Sequence, residues 1–262
     1  MLSWTMVILN FGSQFAHLLA RRVRDLGVKA EILRFDASVA EVAKLKPAGI
    51  ILSGGPASVL EKGSPRPDSA IFDLGIPILG VCYGHQVMAQ ILGGRVAKGK
   101  TREFGKETLR VKARSGLFKG LTASQTVWFS HGDQVAKPPP GFSPTASTHS
   151  CRNAAFANAK RRLFGIQFHP EVTHTRHGIK MLKNFLFSIC KAKRDWKIAD
   201  VAKEIVAEIK KEVGKAHVVV GISGGVDSLV AATLIYRAIG NRLHAVFVDT
   251  GLLRKDEVTQ VA

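Results

Sequence analysis

One cysteine of this sequence stands where a predicted strand turns into a predicted helix, in the segment Gly80-Val81-Cys82-Tyr83-Gly84. Glycines two residues before and two residues after the cysteine allow a sharp turn that presents its side chain as a nucleophile. The N-terminus of the following helix would favour the thiolate form, which is the reactive one. A lone cysteine is more often a small buried hydrophobic residue, and this turn alone leaves both interpretations open.

A histidine and a carboxylate that could serve such a nucleophile follow another predicted strand, in the segment Gly165-Ile166-Gln167-Phe168-His169-Pro170-Glu171. A general base needs a third group that orients its ring, and the carboxylate two residues further on, across a stiff proline, can reach it. We therefore predict a triad of Cys82, His169 and Glu171. Nearby His174 and His177 lack the spacing of zinc ligands, so we predict no metal site and expect both to be solvated at a helix start.

Two glycine-rich turns could bind negative charge. The turn Ser53-Gly54-Gly55-Pro56 follows a predicted strand, so its N–H groups could approach an oxyanion, although such a turn is often only a turn. The segment Ser223-Gly224-Gly225-Val226-Asp227-Ser228 lies between a strand and a helix, where freed N–H groups and the helix N-terminus form an anion cradle. It lacks the lysine of a P-loop, which disfavours a γ-phosphate-transferring NTPase.

The composition excludes several classes of protein. Hydrophobic residues make up 46% and charged residues 22%, so the chain can bury a core and is not disordered as a whole. Three widely spaced cysteines cannot form a disulfide framework and fit a reducing compartment. No apolar run approaches the about 20 residues of a membrane helix. We therefore expect a soluble, cytoplasmic protein without a membrane partner.

The charge of the chain is strongly positive, with 38 Lys and Arg against 20 Asp and Glu, a net charge of +18. Much of it lies in Arg95–Lys119, in Lys160–Arg162 and in Lys191–Arg194. A basic surface attracts polyanions without sequence information. Aromatic residues are not interleaved with these charges as in a stacking platform, so we expect a solvated basic face and consider a nucleic-acid partner unlikely.

Short apolar strands alternate with helical periodicity in the first part of the chain, and a β-rich part extends from about Arg110 to Phe168. This pattern predicts an α/β protein with a mixed open sheet and flanking helices. After a charged linker, the start of a parallel α/β nucleotide-binding domain follows, too short to close its sheet. The predicted domains are 4–190, a linker 191–197, and 198–262. The predicted elements are strands Met6–Leu9, Ala30–Phe35, Gly49–Ser53, Pro77–Val81, His217–Ile222 and Leu243–Asp249, and helices Phe15–Leu26, Gln86–Leu92, Ile198–Val213 and Ser228–Ile239.

The order of these motifs resembles that of two related families. A class I (triad) glutamine amidotransferase is suggested by Phe11-Gly12-Ser13-Gln14, the Ser53–Pro56 turn, the Cys82 turn, Ser130-His131-Gly132-Asp133 and His169-Pro170-Glu171. The glutamine-hydrolysing GMP synthetase family in particular is suggested by Val172-Thr173-His174-Thr175, Ser223–Ser228 and Val248-Asp249-Thr250-Gly251-Leu252-Leu253-Arg254. The resemblance covers nearly the whole chain.

The resemblance implies a role for each matching residue. Cys82 would attack the side-chain amide of glutamine, His169 would act as acid and base, and Glu171 would orient His169. The N–H groups of Gly55 and Tyr83 would hold the oxyanion. Glutamine would be seated by Gln86, Ser130, His131 and Asp133. ATP would be bound by Ser223, Gly224, Gly225, Val226, Asp227, Ser228 and Leu229.

The resemblance also implies a reaction in purine biosynthesis. ATP, accompanied by Mg²⁺, adenylates xanthosine monophosphate with release of pyrophosphate, and ammonia from glutamine then displaces AMP to give GMP. The family forms homodimers through a domain that has no counterpart in this sequence, and no prosthetic group is implied. Two alternatives stay open: an amidotransferase for another AMP-forming ligase, and a basic nucleotide- or RNA-binding remnant without turnover.

Overall fold

The computed structural model describes residues 5–248, with the backbone alone at residues 100–102 and 200. The chain divides into two compact units, Met1–Trp196 and Lys197–Ala262. Residues Asp249–Arg254 of the last motif, and the end of the strand predicted to reach Asp249, lie outside the described residues. None of the helices within residues 5–248 is long and apolar enough to cross a membrane.

The first unit is built on a mixed sheet of nine strands in the order β2-β1-β3-β4-β9-β8-β7-β5-β6. Strands β2, β1, β3, β4 and β9 are parallel, and the remaining pairs are antiparallel. The strands are β1 (Thr5–Asn10), β2 (Lys29–Arg34), β3 (Gly49–Leu52), β4 (Ile78–Val81), β5 (Arg95–Val111), β6 (Ser124–Lys137), β7 (Ser143–Ser147), β8 (Ala155–Asn158) and β9 (Leu163–Ile166).

Both faces of the parallel part are covered, as parallel sheets require. Successive residues of β1 alternate between two apolar clusters, Met6 and Ile8 in one and Val7 and Leu9 in the other. The helices of the first unit are α1 (Phe15–Asp25), α2 (Val39–Lys44), α3 (Tyr83–Ile91) and α4 (Gly178–Lys183), which continues as a π-helical turn over Asn184–Ile189.

The second unit contains two helices and two strands. Strands β10 and β11 are parallel, and the loop Ser223–Gly225 connects β10 to the helix that follows it. These elements are α5 (Ile198–Val213), β10 (Val218–Ile222), α6 (Val226–Ile239) and β11 (Leu243–Phe247).

The predicted fold class is confirmed: the first unit has the mixed α/β sheet with flanking helices, and the second contains a parallel β-α-β segment after α5. Two helix starts were wrong. The helix predicted from Gln86 begins at Tyr83, directly after the cysteine, and the helix predicted from Ser228 begins at Val226. In both cases glycine lies beside or within the first turn, and its low helix propensity hid the true start. Helix α2 was not predicted, and the helix start expected beside His174 and His177 is that of α4, which begins at Gly178.

The segment predicted as a linker, 191–197, contacts the first unit along most of its length. Ala192 is buried and donates its N–H to the carbonyl of Leu186, and the N–H of Trp196 donates to the carbonyl of Gly27. The Arg194 guanidinium lies 4.4 Å from the centre of the Phe187 ring. The predicted domain limits at residues 190 and 198 stay a prediction.

The close approach of α3 to β3 gives the first testable prediction. A methyl group added at Gly84 would overlap the carbonyl oxygen of Leu52. We expect Gly84→Ala to lower the free energy of unfolding by about 3 kcal/mol, because a crowded core must shift its backbone. Urea denaturation measures the change.

Gly63→Ala is the control. Gly63 has a positive φ, +79°, but nothing lies within 4 Å of the added carbon. It should cost only the backbone strain of about 1 kcal/mol. Equal losses for the two variants would show that crowding at Gly84 does not matter.

Candidate functional site

Cys82 occupies the turn between β4 and α3 in a strained conformation, with φ of +53° and ψ of −105°. Its neighbours make this turn possible because a Cβ at Gly80 would lie 2.5 Å from the carbonyl oxygen of Gly84. The N–H of Cys82 donates to the carbonyl of Ile166, and that of Gly84 to the carbonyl of Ser53. The turn is therefore fixed from both sides, and the thiol is held at the first turn of a helix, where the N–H groups have no partner within the helix.

His169 and Glu171 form a buried pair just after β9. The Nδ1 atom of His169 lies 2.7 Å from a carboxylate oxygen of Glu171, and both side chains are almost fully enclosed. The backbone around them is anchored, since the Thr175 hydroxyl donates to the carbonyl of His169 and the Arg22 guanidinium donates to the carbonyl of Glu171. The carboxylate thus fixes the orientation of the imidazole ring.

The topology brings this pair to the cysteine. Strands β4 and β9 are neighbouring and parallel, with Val81 opposite Ile166, so the residues after their carboxyl ends meet at one edge of the sheet. A Cβ on Gly54, which follows the adjacent strand β3, would lie 3.0 Å from Cε1 of His169 and 3.6 Å from Cβ of Cys82. The structure therefore brings Cys82, His169, Glu171 and the Ser53–Pro56 turn together.

The pKa of the His169 imidazole is shifted strongly. Burial alone lowers the pKa of His169, but the negative charge of Cys82, its hydrogen bond, and the Glu171 carboxylate together raise this pKa to about 10. The imidazole is therefore protonated at neutral pH in the resting site and faces the sulfur of Cys82. Such a pair provides both a nucleophile and a proton donor.

A cavity of about 940 Å³ opens above Cys82 and His169. Gly55 and Tyr83, predicted to hold an oxyanion, both line this cavity. A side chain at Gly55 would collide with the carbonyl oxygen of Phe11, 2.6 Å from the added carbon, so only glycine fits there. The Ser53 hydroxyl accepts the N–H of Phe11 and fixes the turn to the loop after β1.

The four residues predicted to seat glutamine also line the cavity. The Gln86 amide donates to the carbonyl of Asp133 at 2.7 Å, and the Cys82 thiol lies 3.6 Å from the carbonyl of Ser130. The Asp133 carboxylate accepts the hydroxyl of Ser58. Nδ1 of His131 lies 2.9 Å from the Asp133 carbonyl oxygen, and Nε2 lies 2.8 Å from a carboxylate oxygen of Glu103.

Sequence reasoning missed Ser58 and Glu103. Ser58 belongs to none of the motifs, so its contact with Asp133 could not be predicted from the sequence. Glu103 is one of only two acidic residues in the basic stretch Arg95–Lys119, and its isolation was a usable signal.

The two other histidines near the triad are exposed to solvent, as predicted. His174 and His177 are exposed, and His177 precedes α4. His174 packs against Trp128, with ring centres 4.5 Å apart, and Nδ1 of His177 lies 2.7 Å from the side-chain oxygen of Gln125. Among the residues that the structure describes, no group of three or more potential ligands could hold a metal ion.

The second glycine-rich segment forms a separate site in the second unit. Gly224 has a φ of +78°, and the loop is tied by the Ser228 hydroxyl, which donates to the carbonyl of Gly225 and accepts the N–H of Ser223. The remaining predicted residues, Val226, Asp227 and Leu229, are exposed in the first turn of α6. The loop is therefore held in one shape by its two serine hydroxyls and lies at a helix N-terminus.

Comparisons with known families agree with this division. The family model described as Glutamine amidotransferase class-I matches residues 7–189, and the model described as NAD synthase matches residues 198–261. A GMP synthase [glutamine-hydrolyzing] of Vibrio vulnificus (strain CMCP6) is 50% identical over 255 residues, which are 97% of this chain and 49% of that protein. A protein with the same description from Aliivibrio fischeri is also 50% identical, with the same coverage.

Solved structures resemble the first unit. A protein from Thermoplasma acidophilum, described as a GMP synthase subunit, matches with a TM-score of 0.66 and 32% identity over 77% of this chain and 98% of that one. A glutamine amidotransferase from Thermotoga maritima matches with a TM-score of 0.57 over 73% of this chain and all of that one, at 18% identity, and so shows the fold alone. The chain spans about half the length of the full-length relatives that it matches.

The pKa of His169 gives a second testable prediction. Cys82→Ala removes the strongest group that raises this pKa, so burial should then dominate and bring it from about 10 to well below that value. NMR titration of the imidazole Cε1 proton in the full chain measures the midpoint. Cys151→Ala, a change at another buried cysteine, should leave it in place. An unchanged midpoint in Cys82→Ala would show that the two groups are not coupled.

Proposed function

The chain belongs to the class I glutamine amidotransferase family, and we propose that Cys82, His169 and Glu171 hydrolyse the side-chain amide of glutamine. The observation that carries this proposal is the meeting of a strained cysteine turn with a buried His-Glu pair in one cavity. The charge state of His169 supports it, because its raised pKa makes the imidazole a proton donor beside the sulfur of Cys82.

The reaction follows from the positions of these groups. The sulfur of Cys82 attacks the amide carbon, and the N–H groups of Gly55 and Tyr83 donate to the developing oxyanion. His169 gives its proton to the departing nitrogen, so ammonia leaves and a thioester forms. Neutral His169 then takes a proton from water, which attacks the thioester and releases glutamate, and the thiolate and imidazolium are restored.

Glu171 and the opposite wall of the cavity have supporting roles. The carboxylate holds His169 Nδ1–H, so that Nε2 is the atom that exchanges protons with substrate. Gln86 and the segment Ser130–Asp133 form the wall next to the nucleophile and would seat the amino-acid end of glutamine.

For the second unit we propose that Ser223–Leu229 binds the phosphates of ATP. The loop offers backbone N–H groups around Gly224 and two serine hydroxyls at the N-terminus of a helix, which suits a pyrophosphate group. Asp227, an exposed carboxylate in the first turn, is the residue of this loop that would hold Mg²⁺ accompanying ATP. Bound Mg²⁺ would neutralise phosphate charge.

The complete reaction that we propose is the ATP-dependent amination of xanthosine monophosphate to GMP in purine biosynthesis. Support comes from the GMP synthases that are 50% identical to this chain, of whose length the chain spans 49%. A cytoplasmic location is supported by the three cysteines, which are all buried and form no disulfide. Homodimer formation stays a prediction.

The triad is tested by ammonia release from glutamine with the full chain. Cys82→Ala should abolish release, and His169→Ala should lower it by about 10²- to 10⁴-fold, because the acid and base are lost. Glu171→Gln should cost about 10- to 100-fold, since it loosens the ring without removing it.

The control for these variants is Cys190→Ala, which changes a buried cysteine outside the cavity and should keep full activity. Ammonia release that survives Cys82→Ala would exclude this cysteine as the nucleophile. A loss in Glu171→Gln as large as in Cys82→Ala would show that the carboxylate does more than orient the ring.

The phosphate loop is tested by calorimetric titration of the full chain with inorganic pyrophosphate. Ser228→Ala removes a hydroxyl that organises the loop, and we expect binding to weaken about tenfold. Thr233→Ala is the control, because its hydroxyl bonds only to the carbonyl of Leu229 within the helix. Equal affinities for all three proteins would contradict the assignment of this loop.

A further inference from the structure

The segment Ser130–Asp133, which forms one wall of the cavity, lies where the β5–β6 hairpin loses its regular pairing. Lys98 pairs with Asp133 and Glu103 pairs with His131, so the stretch between Lys98 and Glu103 bulges opposite the single residue Gly132. Here the ladder does not fix the backbone as it does along the rest of the hairpin. The position of this wall must therefore depend on side-chain contacts.

The position of the wall matters for the nucleophile as well as for the substrate. The carbonyl oxygen of Ser130 is 3.6 Å from the sulfur of Cys82, and Asp133 is held at the other end by the side chains of Gln86 and Ser58. A shift of the segment would change the width of the cavity directly beside the reacting atom.

His131 is the anchor at the bulge. Its Nδ1 lies 2.9 Å from the carbonyl oxygen of Asp133, and because a carbonyl only accepts, this nitrogen carries a proton. Its Nε2 lies 2.8 Å from a carboxylate oxygen of Glu103. Polar atoms of the protein thus lie close to both ring nitrogens, although the residue lines the cavity.

Glu103 connects this anchor to a third part of the chain. Its carboxylate is buried, and its second oxygen accepts the hydroxyl of Ser150 in the loop between β7 and β8. A buried carboxylate that faces a histidine on one side and a hydroxyl on the other is held in one orientation, since each displacement would leave a charge without a partner. The carboxylate of Glu103 therefore fixes the position of the His131 ring.

We propose that Glu103 is a positioning residue, which through His131 holds the Ser130–Asp133 wall at the distance that glutamine binding requires. His131 then acts through its backbone neighbours and does not bond to glutamine through its ring. This inference rests on the proposed glutamine hydrolysis for the identity of the ligand, but its geometry does not depend on turnover.

The test uses a diazoketone analogue of glutamine, which alkylates a nucleophilic cysteine that it reaches through the glutamine site. Mass spectrometry of Cys82 in the full chain gives the concentration for half-maximal labelling and the maximal labelling rate. Glu103→Gln should raise that concentration about tenfold, the effect of losing a bond to a charged group, while the maximal rate changes little. Iodoacetamide, which lacks the amino-acid end, should label Cys82 at an unchanged rate.

Two further variants separate positioning from folding. Ser150→Ala keeps Glu103 and His131 in place and should raise the half-maximal concentration about threefold, the effect of losing one hydrogen bond. Glu103→Gln combined with His131→Asn changes both partners together and should be no worse than Glu103→Gln alone, because the two residues form a single link. Glu107→Gln, on the same strand but away from the cavity lining, should match the parent chain.

The outcomes are distinct. An unchanged half-maximal concentration in Glu103→Gln and Ser150→Ala, or multiplied effects in the double variant, would overturn the positioning role. Slower labelling by iodoacetamide in Glu103→Gln would also overturn it, since the damage would then reach the nucleophile. If the parent chain shows saturable labelling but releases no ammonia from glutamine, the proposed hydrolysis fails while this inference stands on its own measurement.

Discussion

The candidate active site depends on one constraint of backbone packing, the close approach of β3, β4 and α3. Gly80 and Gly84 have no side chains, so the helix can begin directly at the end of the strand, where any added Cβ would collide with the backbone. Cys82 takes a positive φ there, which is unfavourable for any residue other than glycine. The strain is confined to one residue, which the bonds to Ile166 and Ser53 on either side hold in place. A side chain at either glycine would displace Cys82, although it would not touch the chemical groups of the triad.

The electrostatics of the triad follow from this packing. Enclosure in the sheet edge would by itself remove the charge from His169, yet the sulfur and the Glu171 carboxylate are close enough to reverse that effect. His85, one helical turn after Cys82, shows the opposite result: burial, followed by the nearby charge of His131, lowers its pKa to about 3. Two buried histidines in one region thus differ in charge because only one of them faces anions.

The sequence was sufficient to predict the parallel part of the fold and the proximity of the three residues of the proposed triad. Strand residues buried on both faces form short apolar runs, and the proposed catalytic residues follow such runs, so their meeting at one edge is a consequence of parallel pairing. The β5–β6 hairpin could not be derived in the same way. The hairpin brings together positions far apart in sequence, through its bulge opposite Gly132 and the contact of Glu103 with His131. Local sequence periodicity does not predict such contacts. Helix α2 was missed although Ser38 and Glu41 form a capping box.

The chain uses the same element twice, a strand that turns through a positive φ into a helix, and the residue at the turn decides what each copy can do. In the first unit that residue is Cys82, at +53°, so a side chain is presented at the helix N-terminus, beside the N–H of Tyr83 that we propose as an oxyanion donor. In the second unit it is Gly224, at +78°, so no side chain intervenes and the backbone would itself face the proposed phosphate ligand. A covalent step needs the first arrangement, because a bond must form to a side-chain atom. An extended phosphate group needs the second, because its charge is spread over many oxygens, and many donors bind it better than one nucleophile.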